Sequence, residues 1–244
     1  MAIAIVQSTS KVVTGVNNTT LAYTSNLAAG NLLVVSQGHF INAVNVISTP
    51  VDTLTHTFTG VTAEQSIGTN NKLRSFYAEN SSAGADTVTF DIGTAAGNGD
   101  ITCVVSEWSG ALTSGSLDKT NTGTNTGTAV SAGATGTLTQ ADEMIWAAVA
   151  HSGNNTTITE DTGDSFTMLQ ENEGGTSNFP IGTQYKIVSA TTDTTPDFTL
   201  GASRTWIAHV GTFKAAAAAA QDTPELRGSP GLRQRRQMHQ LLAQ

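Results

Sequence analysis

The sequence predicts an all-β protein: an antiparallel β-sandwich or jelly roll with two similar halves, followed by a short helical C-terminal tail. Three observations predict this fold. Short apolar or alternating segments are separated by Gly, Asn, Asp and Ser turn signals throughout residues 1–213. Only 12% of the residues are charged, against roughly 25% in an average soluble domain, and Thr, Ser, Asn and Gly fill the polar positions. No stretch before residue 214 has a helical period.

In the first half, Ile101–Trp108 is the clearest strand, because Ile101, Cys103 and Val105 alternate with polar or smaller side chains on the other face. Leu32–Val35 is apolar on both faces, which is typical of a strand between two covered layers. Further strands are predicted at Ala2–Thr9, Thr20–Thr24, Asn45–Ser48, Thr53–Thr59, Leu73–Glu79 and Thr87–Ile92.

In the second half, Glu143–Ser152 is an apolar run that predicts a buried strand. The region Lys119–Thr137 consists mostly of Thr, Gly, Asn, Ala and Ser, and it predicts either a long surface loop or a flat strand with exposed threonines. Other strands are predicted at Thr137–Thr139, Thr156–Glu160, Ser165–Gln170, Gly182–Ser189, Asp197–Leu200 and Arg204–Phe213.

The two halves have similar segments in the same order, roughly 105–112 residues apart, which suggests an internal repeat. Residues 31–40 match 143–152, and each run ends at or near a histidine, His39 or His151. Later segments align Tyr77 with Tyr185, Phe90 with Phe198 and Trp108 with Phe213.

Charge divides the chain into an acidic body, residues 1–213, and a basic tail, residues 214–244. The body has 6 Lys and Arg against 17 Asp and Glu, a net charge of −11, and the tail has 5 against 2, a net charge of +3. Nucleic acid is not expected as the main partner of the body, because phosphate binding needs a basic surface. The tail suits an acidic protein surface or, alternatively, nucleic acid.

The cysteine count and the lengths of the apolar runs indicate in which cellular compartment the protein is made. Cys103 is the single cysteine, so no intrachain disulfide forms and a disulfide-stapled secreted domain is not expected. Met1–Val6 lacks the positive n-region of a signal peptide. No apolar stretch approaches the roughly 20 residues that span a bilayer. We therefore expect synthesis in a cytoplasm and no membrane partner.

The tail differs in kind from the body. An alanine run at residues 215–220 leads into a linker punctuated by Pro224, Gly228 and Pro230, and a short helix is predicted from Leu232. Such a short helix is not stable alone, which predicts that a partner orders it. The residues expected to bind this partner are Arg227, Leu232, Arg233, Arg235, Arg236, Met238, Leu241 and Leu242.

Catalytic motifs are not found: the sequence has no nucleophile elbow, HExxH, P-loop or CxxC. Cys103 lies on the apolar face of its strand, which predicts a buried structural thiol. The histidines are scattered without metal-ligand spacing; folding could bring His39 and His151 together, but satisfied strand-end histidines are the favoured interpretation. We therefore expect no enzyme activity and no cofactor.

Two acidic features remain as candidates. Glu160, Asp161 and Asp164 surround a Gly turn and are candidate Ca²⁺ ligands, although the EF-hand spacing is absent and an ordinary acidic hairpin turn is the alternative. Glu107 and Glu143 lie beside apolar strands and could act as a glycosidase pair only if both face one cleft. The three tryptophans lie in apolar strands, which favours core packing over sugar stacking.

Three segments, LAAGNLLVV at residues 27–35, SEWSG at 106–110 and FKAA at 213–216, resemble a group of phage virion proteins. These β-sandwich or jelly-roll proteins decorate capsids or build tail fibres. The resemblance implies a non-enzymatic homo-oligomer that is made in the host cytoplasm, assembles with other virion proteins and is located in the virion. Capsid decoration (cement) is the favoured role. A tail fibre, spike or receptor-binding subunit is the alternative, and a carbohydrate-binding or carbohydrate-active domain is the third.

Overall fold

The structure, a computed structural model, describes residues 2–40, 47–68, 71–93, 99–153, 156–172 and 179–217. This part of the chain contains β-strands and no helix, so the all-β prediction is confirmed for the described residues. The strands are β1 (Ala4–Val16), β2 (Asn18–Ala22), β3 (Leu32–Phe40), β4 (Val51–Asp52), β5 (Thr59–Gly60), β6 (Gln65–Ile67), β7 (Asn71–Ala78), β8 (Thr87–Asp91), β9 (Gly99–Ser109), β10 (Leu117–Ser131), β11 (Asp142–His151), β12 (Ile158–Glu160), β13 (Thr167–Asn172), β14 (Ile181–Ser189) and β15 (Asp197–Lys214).

The strands form two large sheets and one small sheet, and every pairing is antiparallel. The first large sheet has the order β1-β9-β3-β7-β5, with β6 also on β7. The second has the order β10-β15-β11-β14-β13, with β12 also on β15. The small sheet has the order β2-β8-β4. In the described part of the chain, no helix is long and apolar enough to cross a bilayer.

The two large sheets pack face to face over a shared core. It joins Leu32, Val34, Leu73, Val104 and Trp108 of the first sheet to Met144, Trp146, Ala148, Ile181, Ile207 and Phe213 of the second. Because successive side chains of a strand point to opposite faces, the alternate residues of the same strands lie in two outer cores. One contains Leu33, Val35, Ile101, Cys103 and Val105 with Leu21, Val88 and Phe90 of the small sheet. The other contains Ile145, Ala147, Val149, Ala208 and Val210 with Val130, Ile158 and Phe198.

Strand registers relate the two halves position by position. Val34 pairs with Tyr77, and Trp146 pairs with Tyr185. Leu32 pairs with Trp108, and Met144 pairs with Phe213. The sheet positions of Tyr77 and Tyr185 are therefore equivalent, as the sequence comparison aligned them.

The aromatic residues of the two halves contact each other across the shared core in two equivalent pairs. Tyr77 packs edge-on against Phe213 with ring centroids 5.6 Å apart, and Trp108 packs edge-on against Tyr185 at 4.8 Å. Each half thus places its tyrosine against the strand-end aromatic of the other half. This reciprocal pattern is that of an isologous dimer interface formed within one chain.

The halves differ in how their outer layers are built. In the first half, β2 and β8 form a separate small sheet. In the second half, the corresponding segments are continuous with long strands: Val130 of β10 pairs with Phe198 of β15, as Thr19 of β2 pairs with Phe90 of β8. A register shift between Gly127 and Ala129 marks the place where β10 turns from the large sheet to the outer layer.

Three strand predictions need correction. Thr53–Thr59 was predicted as a strand, but Asp52–His56 forms a turn because the Asp52 and Asp86 carboxylates accept the backbone N–H groups that a sheet would use. Thr137–Thr139 forms no strand, and neither do Ile47 and Ser48. The alternative of a flat strand holds for most of Lys119–Thr137, since β10 reaches Ser131. The predicted tail helix lies outside the described residues.

Candidate functional site

A buried polar cluster closes the turn after β4. His56 Nδ1 lies 2.5 Å from Asp52 Oδ2 and 3.8 Å from Asp86 Oδ2. Both carboxylate side chains have no exposed surface, and the His56 side chain is 6% exposed. These three residues are the single group in the described part of the chain whose nitrogen and oxygen atoms are close enough together to hold a metal ion.

Hydrogen bonding favours a clamp over a metal site here. The backbone N–H of Ser82 donates to His56 Nε2 at 2.9 Å, so Nε2 carries no proton. The proton of the neutral ring is then on Nδ1, where it is donated to Asp52. A metal on Nδ1 would move the ring proton to Nε2, against the Ser82 N–H. The cluster therefore ties the turn to the segment at Ser82.

Asp86 completes this clamp. Its Oδ1 accepts hydrogen bonds from Thr53 Oγ1 at 2.9 Å and from the backbone N–H groups of Thr53 and Thr87. Burial raises the pKa of Asp86, and the neighbouring Asp52 carboxylate adds to the increase. The sequence analysis did not find the cluster, because only the Asp52 and His56 spacing is local and Asp86 is brought in by the β4–β8 pairing.

Glu107 and Glu143 do not face one cleft. Glu107 follows Val105 on the face of β9 that lines one outer core, and Glu143 precedes Ile145 on the face of β11 that lines the other. Both large sheets therefore lie between them. This arrangement does not provide the paired carboxylates that a glycosidase needs.

Glu107 is a fully bonded structural carboxylate with no exposed surface. Its Oε1 accepts hydrogen bonds from Asn31 Nδ2 at 2.7 Å and from the Ala28 N–H at 2.8 Å, and its Oε2 accepts one from Gln7 Nε2 at 2.6 Å. These bonds attach the segment after β2 and the N-terminal strand to the end of β9.

Glu143 has a different environment. Burial raises its pKa to about 7, although a hydrogen bond from Thr212 opposes the increase. Its Oε2 is buried without a hydrogen-bond partner among the described residues. By the strand registers, Glu143 is at the position equivalent to Asn31, and Thr212 is at the position equivalent to Glu107. Each half therefore has one carboxylate in this contact at the strand ends. The carboxylate comes from β9 in the first half and from β11 in the second.

The other predicted reactive groups are buried. Cys103 has no exposed surface, and burial raises the pKa of its thiol to about 12, so the structural-thiol prediction is confirmed. Burial lowers the pKa of His39 to about 4 and that of His209 to about 3, which keeps both rings neutral at pH 7. His39 and His151 lie on the outward faces of different large sheets and do not meet.

The acidic loop does not gather its carboxylates as calcium ligands. Asp161 Oδ1 accepts the Asp164 N–H at 3.0 Å and so caps its own turn. Glu160, Asp161 and Asp164 form no metal-sized cluster among the described residues. A calcium site there remains a prediction, and the geometry fits the acidic hairpin turn.

A polar pocket of about 470 Å³ lies beside this loop, in the second half. The residues that line it include Glu160, Asp161 and Asp197, together with Asn125 and Trp206. The three tryptophans are at most 4% exposed, as the core-packing interpretation predicted.

The predicted partner-binding residues of the tail, Arg227, Leu232, Arg233, Arg235, Arg236, Met238, Leu241 and Leu242, all lie outside the described residues. The tail leaves the body after β15, where Ala215 bridges to Ala111 and the Ala216 N–H donates to Gly110 O.

No protein-family model, curated protein or solved structure matches this chain.

Proposed function

We propose that this chain is a non-enzymatic structural protein of a phage virion, most specifically a capsid decoration (cement) protein. In this proposal its β body lies on the capsid surface and its C-terminal segment anchors it to neighbouring virion proteins. The observation that carries the proposal is the charge division: a body of net charge −11 is followed by a segment of net charge +3 that contains Arg233, Arg235 and Arg236. Opposite charges on body and tail suit contacts between subunits.

The body suits a scaffold role. We propose that it is a duplicated sandwich of jelly-roll type, since the strand orders of the two large sheets correspond. The residues that suggested chemistry are used to hold strands together: Glu107 bonds three donors, and Cys103 and His209 are fully buried. These contacts support a structural protein over an enzyme.

A tail fibre, spike or receptor-binding subunit is the second candidate. The observation that favours it is the surface of β10, where Thr124, Asn125 and Thr126 are exposed on a strand at the edge of the second sheet. Such a polar strand edge can pair with another chain. A carbohydrate-binding role has less support, because every aromatic side chain in the described part of the chain is buried or partly buried, and none is exposed for sugar stacking.

The anchor is tested by removing residues 221–244 and measuring co-sedimentation with capsids of the phage that encodes the chain. We expect the shortened protein to stay folded and to lose most of its binding, since burial of Met238, Leu241 and Leu242 on a partner would contribute about 1.5–3 kcal/mol per side chain. Normal decoration by the shortened protein would contradict the proposal.

A matched pair of full-length variants separates charge from chain length. Replacing Arg233, Arg235 and Arg236 with alanine should weaken capsid binding, whereas replacing Gln234, Gln237 and Gln240 with alanine should leave it nearly unchanged. If the purified protein instead adsorbs to host cells and competes with the phage for them, the receptor-binding role replaces the cement role.

A further inference from the structure

β10 is a long strand with one open edge. It ends the second large sheet, and among the described strands only β15 pairs with it. The equivalent edge strand of the first sheet, β1, contacts β13: Ser10 Oγ donates to Gln170 Oε1, and Gln170 Nε2 donates to Ser8 Oγ, both at 2.9 Å. The other end of the first sheet is the two-residue strand β5. β10 has 15 residues, and an edge of this length can pair with another chain.

The edge of β10 carries none of the usual protection against such pairing. Natural edge strands are commonly protected by charged side chains, proline or a bulge. From Thr120 to Ser131 there is no charged residue and no proline. Residues 120–127 pair with β15 in continuous register, and the register shift comes only after Gly127. Because the body has a net charge of −11, an uncharged edge is a place where two copies can approach without direct repulsion.

The sequence of this edge fits a second copy of the same chain. Residues 120–126 read T-N-T-G-T-N-T in both directions from Gly123. If two such strands pair antiparallel around Gly123, each threonine lies opposite a threonine and each asparagine opposite an asparagine. Threonine pairs across two strands stabilise a sheet. Such an arrangement has two-fold symmetry, which is that of an isologous dimer interface.

The backbone of β10 agrees with this register. The N–H groups of Thr122 and Thr126 donate to Asn121 Oδ1 and Asn125 Oδ1, both at 2.8 Å. Since alternate residues of β10 bond to β15, these acceptors indicate that residues 120, 122, 124 and 126 turn their N–H and C=O groups to the open edge. Pairing around Gly123 places these residues opposite one another, so each pair can exchange two hydrogen bonds. A shift by one residue would lose this match.

We propose that two copies of this chain form a dimer in which residues 120–126 of the two β10 strands pair antiparallel around a two-fold axis at Gly123. The second sheets of the two copies then form one continuous sheet. This inference goes beyond the proposed function and does not rest on it, because the free protein should pair in solution. The two can fail separately: a monomer could still bind capsids through its tail, and a dimer could decorate nothing.

The mass of the full-length protein in solution is the first test. By sedimentation equilibrium between ~1 μM and ~1 mM, we expect the mass to rise from 25.2 kDa toward twice that value. The variant in which the three tail arginines are replaced with alanine should keep the dimer while it loses capsid binding. A monomer over the whole range would overturn the proposal. A mass that grows beyond twice the monomer would overturn it as well, because an isologous interface closes at two copies.

A matched pair of variants locates the interface on β10. Thr124→Pro removes an N–H group that faces the open edge and no bond to β15, so the sandwich should stay folded. Dimerisation should weaken by more than about tenfold. Thr124→Val keeps the N–H group and the strand propensity, and it should dimerise like the unaltered protein. Circular dichroism checks the fold of both variants. A dimer that Thr124→Pro leaves unchanged would overturn the proposal.

Cross-linking tests the register without depending on the proline variant. Asn121→Cys with Asn125→Cys places cysteines opposite each other across the axis, about 4.5 Å apart between Cα atoms, which is within disulfide range. Mild oxidation should give a covalent dimer on a non-reducing gel, and the native Cys103 is buried and does not compete. The control, Asn121→Cys with Thr126→Cys, puts the thiols on opposite faces of the strand and should stay monomeric. Equal cross-linking of both variants, or of neither, would overturn the proposed register.

Discussion

The turns at 52–56 and 162–166 have the same backbone but different chemistry. Thr55 and Ser165 both have φ of 61°, and their N–H groups donate to Asp52 O and Thr162 O, both at 3.3 Å. The first turn is closed by Asp52, His56 and Asp86. In the second turn, the His56 position is occupied by Phe166.

The difference shows that the same turn backbone can carry different side-chain chemistry. In the first half, the buried side chains of Asp52, His56 and Asp86 hold the turn. In the second half, Phe166 is buried in place of the histidine, and Glu160, Asp161 and Asp197 are among the residues that line the adjacent pocket. One copy of the turn is therefore held by buried polar side chains, and the equivalent copy carries a buried apolar side chain.

The largest predicted loss of stability comes from substitutions in the shared core. Trp108→Ala should lower the free energy of unfolding by about 3–5 kcal/mol, because it removes a fully buried indole and its edge contact with Tyr185. Phe213→Ala should cost a similar amount, since it makes the reciprocal contact with Tyr77. Urea unfolding measures both.

Val51→Ala is the control for these two variants, because Val51 is 63% exposed and its replacement should change stability by less than about 0.5 kcal/mol. A large loss for Trp108→Ala with a small one for Phe213→Ala would show that the two reciprocal contacts are not equivalent.

The next largest predicted effect is a loss of stability at acidic pH, which depends on His209. Its pKa is lowered by burial to about 3, whereas an unfolded chain titrates near 6.5. The folded state therefore favours the neutral ring, and stability is lost as the pH falls below about 6.5. His209→Val, which introduces the residue found at the equivalent position, Val104, should lose on the order of 3 kcal/mol less between pH 7 and pH 4.

Urea unfolding at the two pH values measures this difference. His39, whose pKa is lowered to about 4, remains in both proteins and serves as the internal reference for acid sensitivity. Equal losses for the unaltered protein and the variant would rule out His209 as a source of that sensitivity.

Replacing Glu107 and replacing Glu143 with glutamine should change the stability of the protein in opposite directions. Glu107→Gln places an amide N–H₂ against donors and should cost about 2–3 kcal/mol. The raised pKa of Glu143 means that its contribution is greatest below about pH 4.5 and is lost as the pH rises through 7. Glu143→Gln should therefore be more stable than the unaltered protein at pH 8, by about 1–3 kcal/mol.

Thermal or urea unfolding at pH 5 and pH 8 distinguishes the two carboxylates. Asp142→Asn removes the same charge from an exposed neighbour and should have little effect at either pH. The contrast between the halves would be lost if Glu143→Gln were as destabilising at pH 8 as Glu107→Gln.

Cys103 gives the smallest effect. Cys103→Ala introduces the residue found at the equivalent position, Ala208, and should cost about 1 kcal/mol because only the sulfur atom is lost from the outer core. The thiol should react with iodoacetamide in urea but not in the folded protein, since it is buried and its pKa is raised to about 12. Rapid native labelling would contradict that environment.

Strand alternation made much of the fold predictable. The faces of Ile101–Trp108 were set by period-two alternation, and the alignment of Tyr77 with Tyr185 followed from two apolar runs in the same order. The turn at Asp52–His56 was not predictable, because alternating Thr, Leu, His and Phe have strand propensity. Hydrogen bonds to the Asp52 carboxylate and long-range bonds to Asp86 override it.

The pocket was partly predictable. The acidic loop at Glu160 and Asp161 is visible in the sequence, but Asp197 and Trp206 join it only through the β12–β15 and β10–β15 pairings. The division of charge between body and tail needed no structure at all.

We propose that this chain is a structural subunit of a virion, attached through its C-terminal segment. Cryo-electron microscopy of the phage particle can locate the chain and so test this proposal. We expect density for the β body on the outside of the capsid, with the segment from Leu232 onward in contact with capsid or neighbouring subunits. Particles with no density for this body on capsid or tail would contradict the claim.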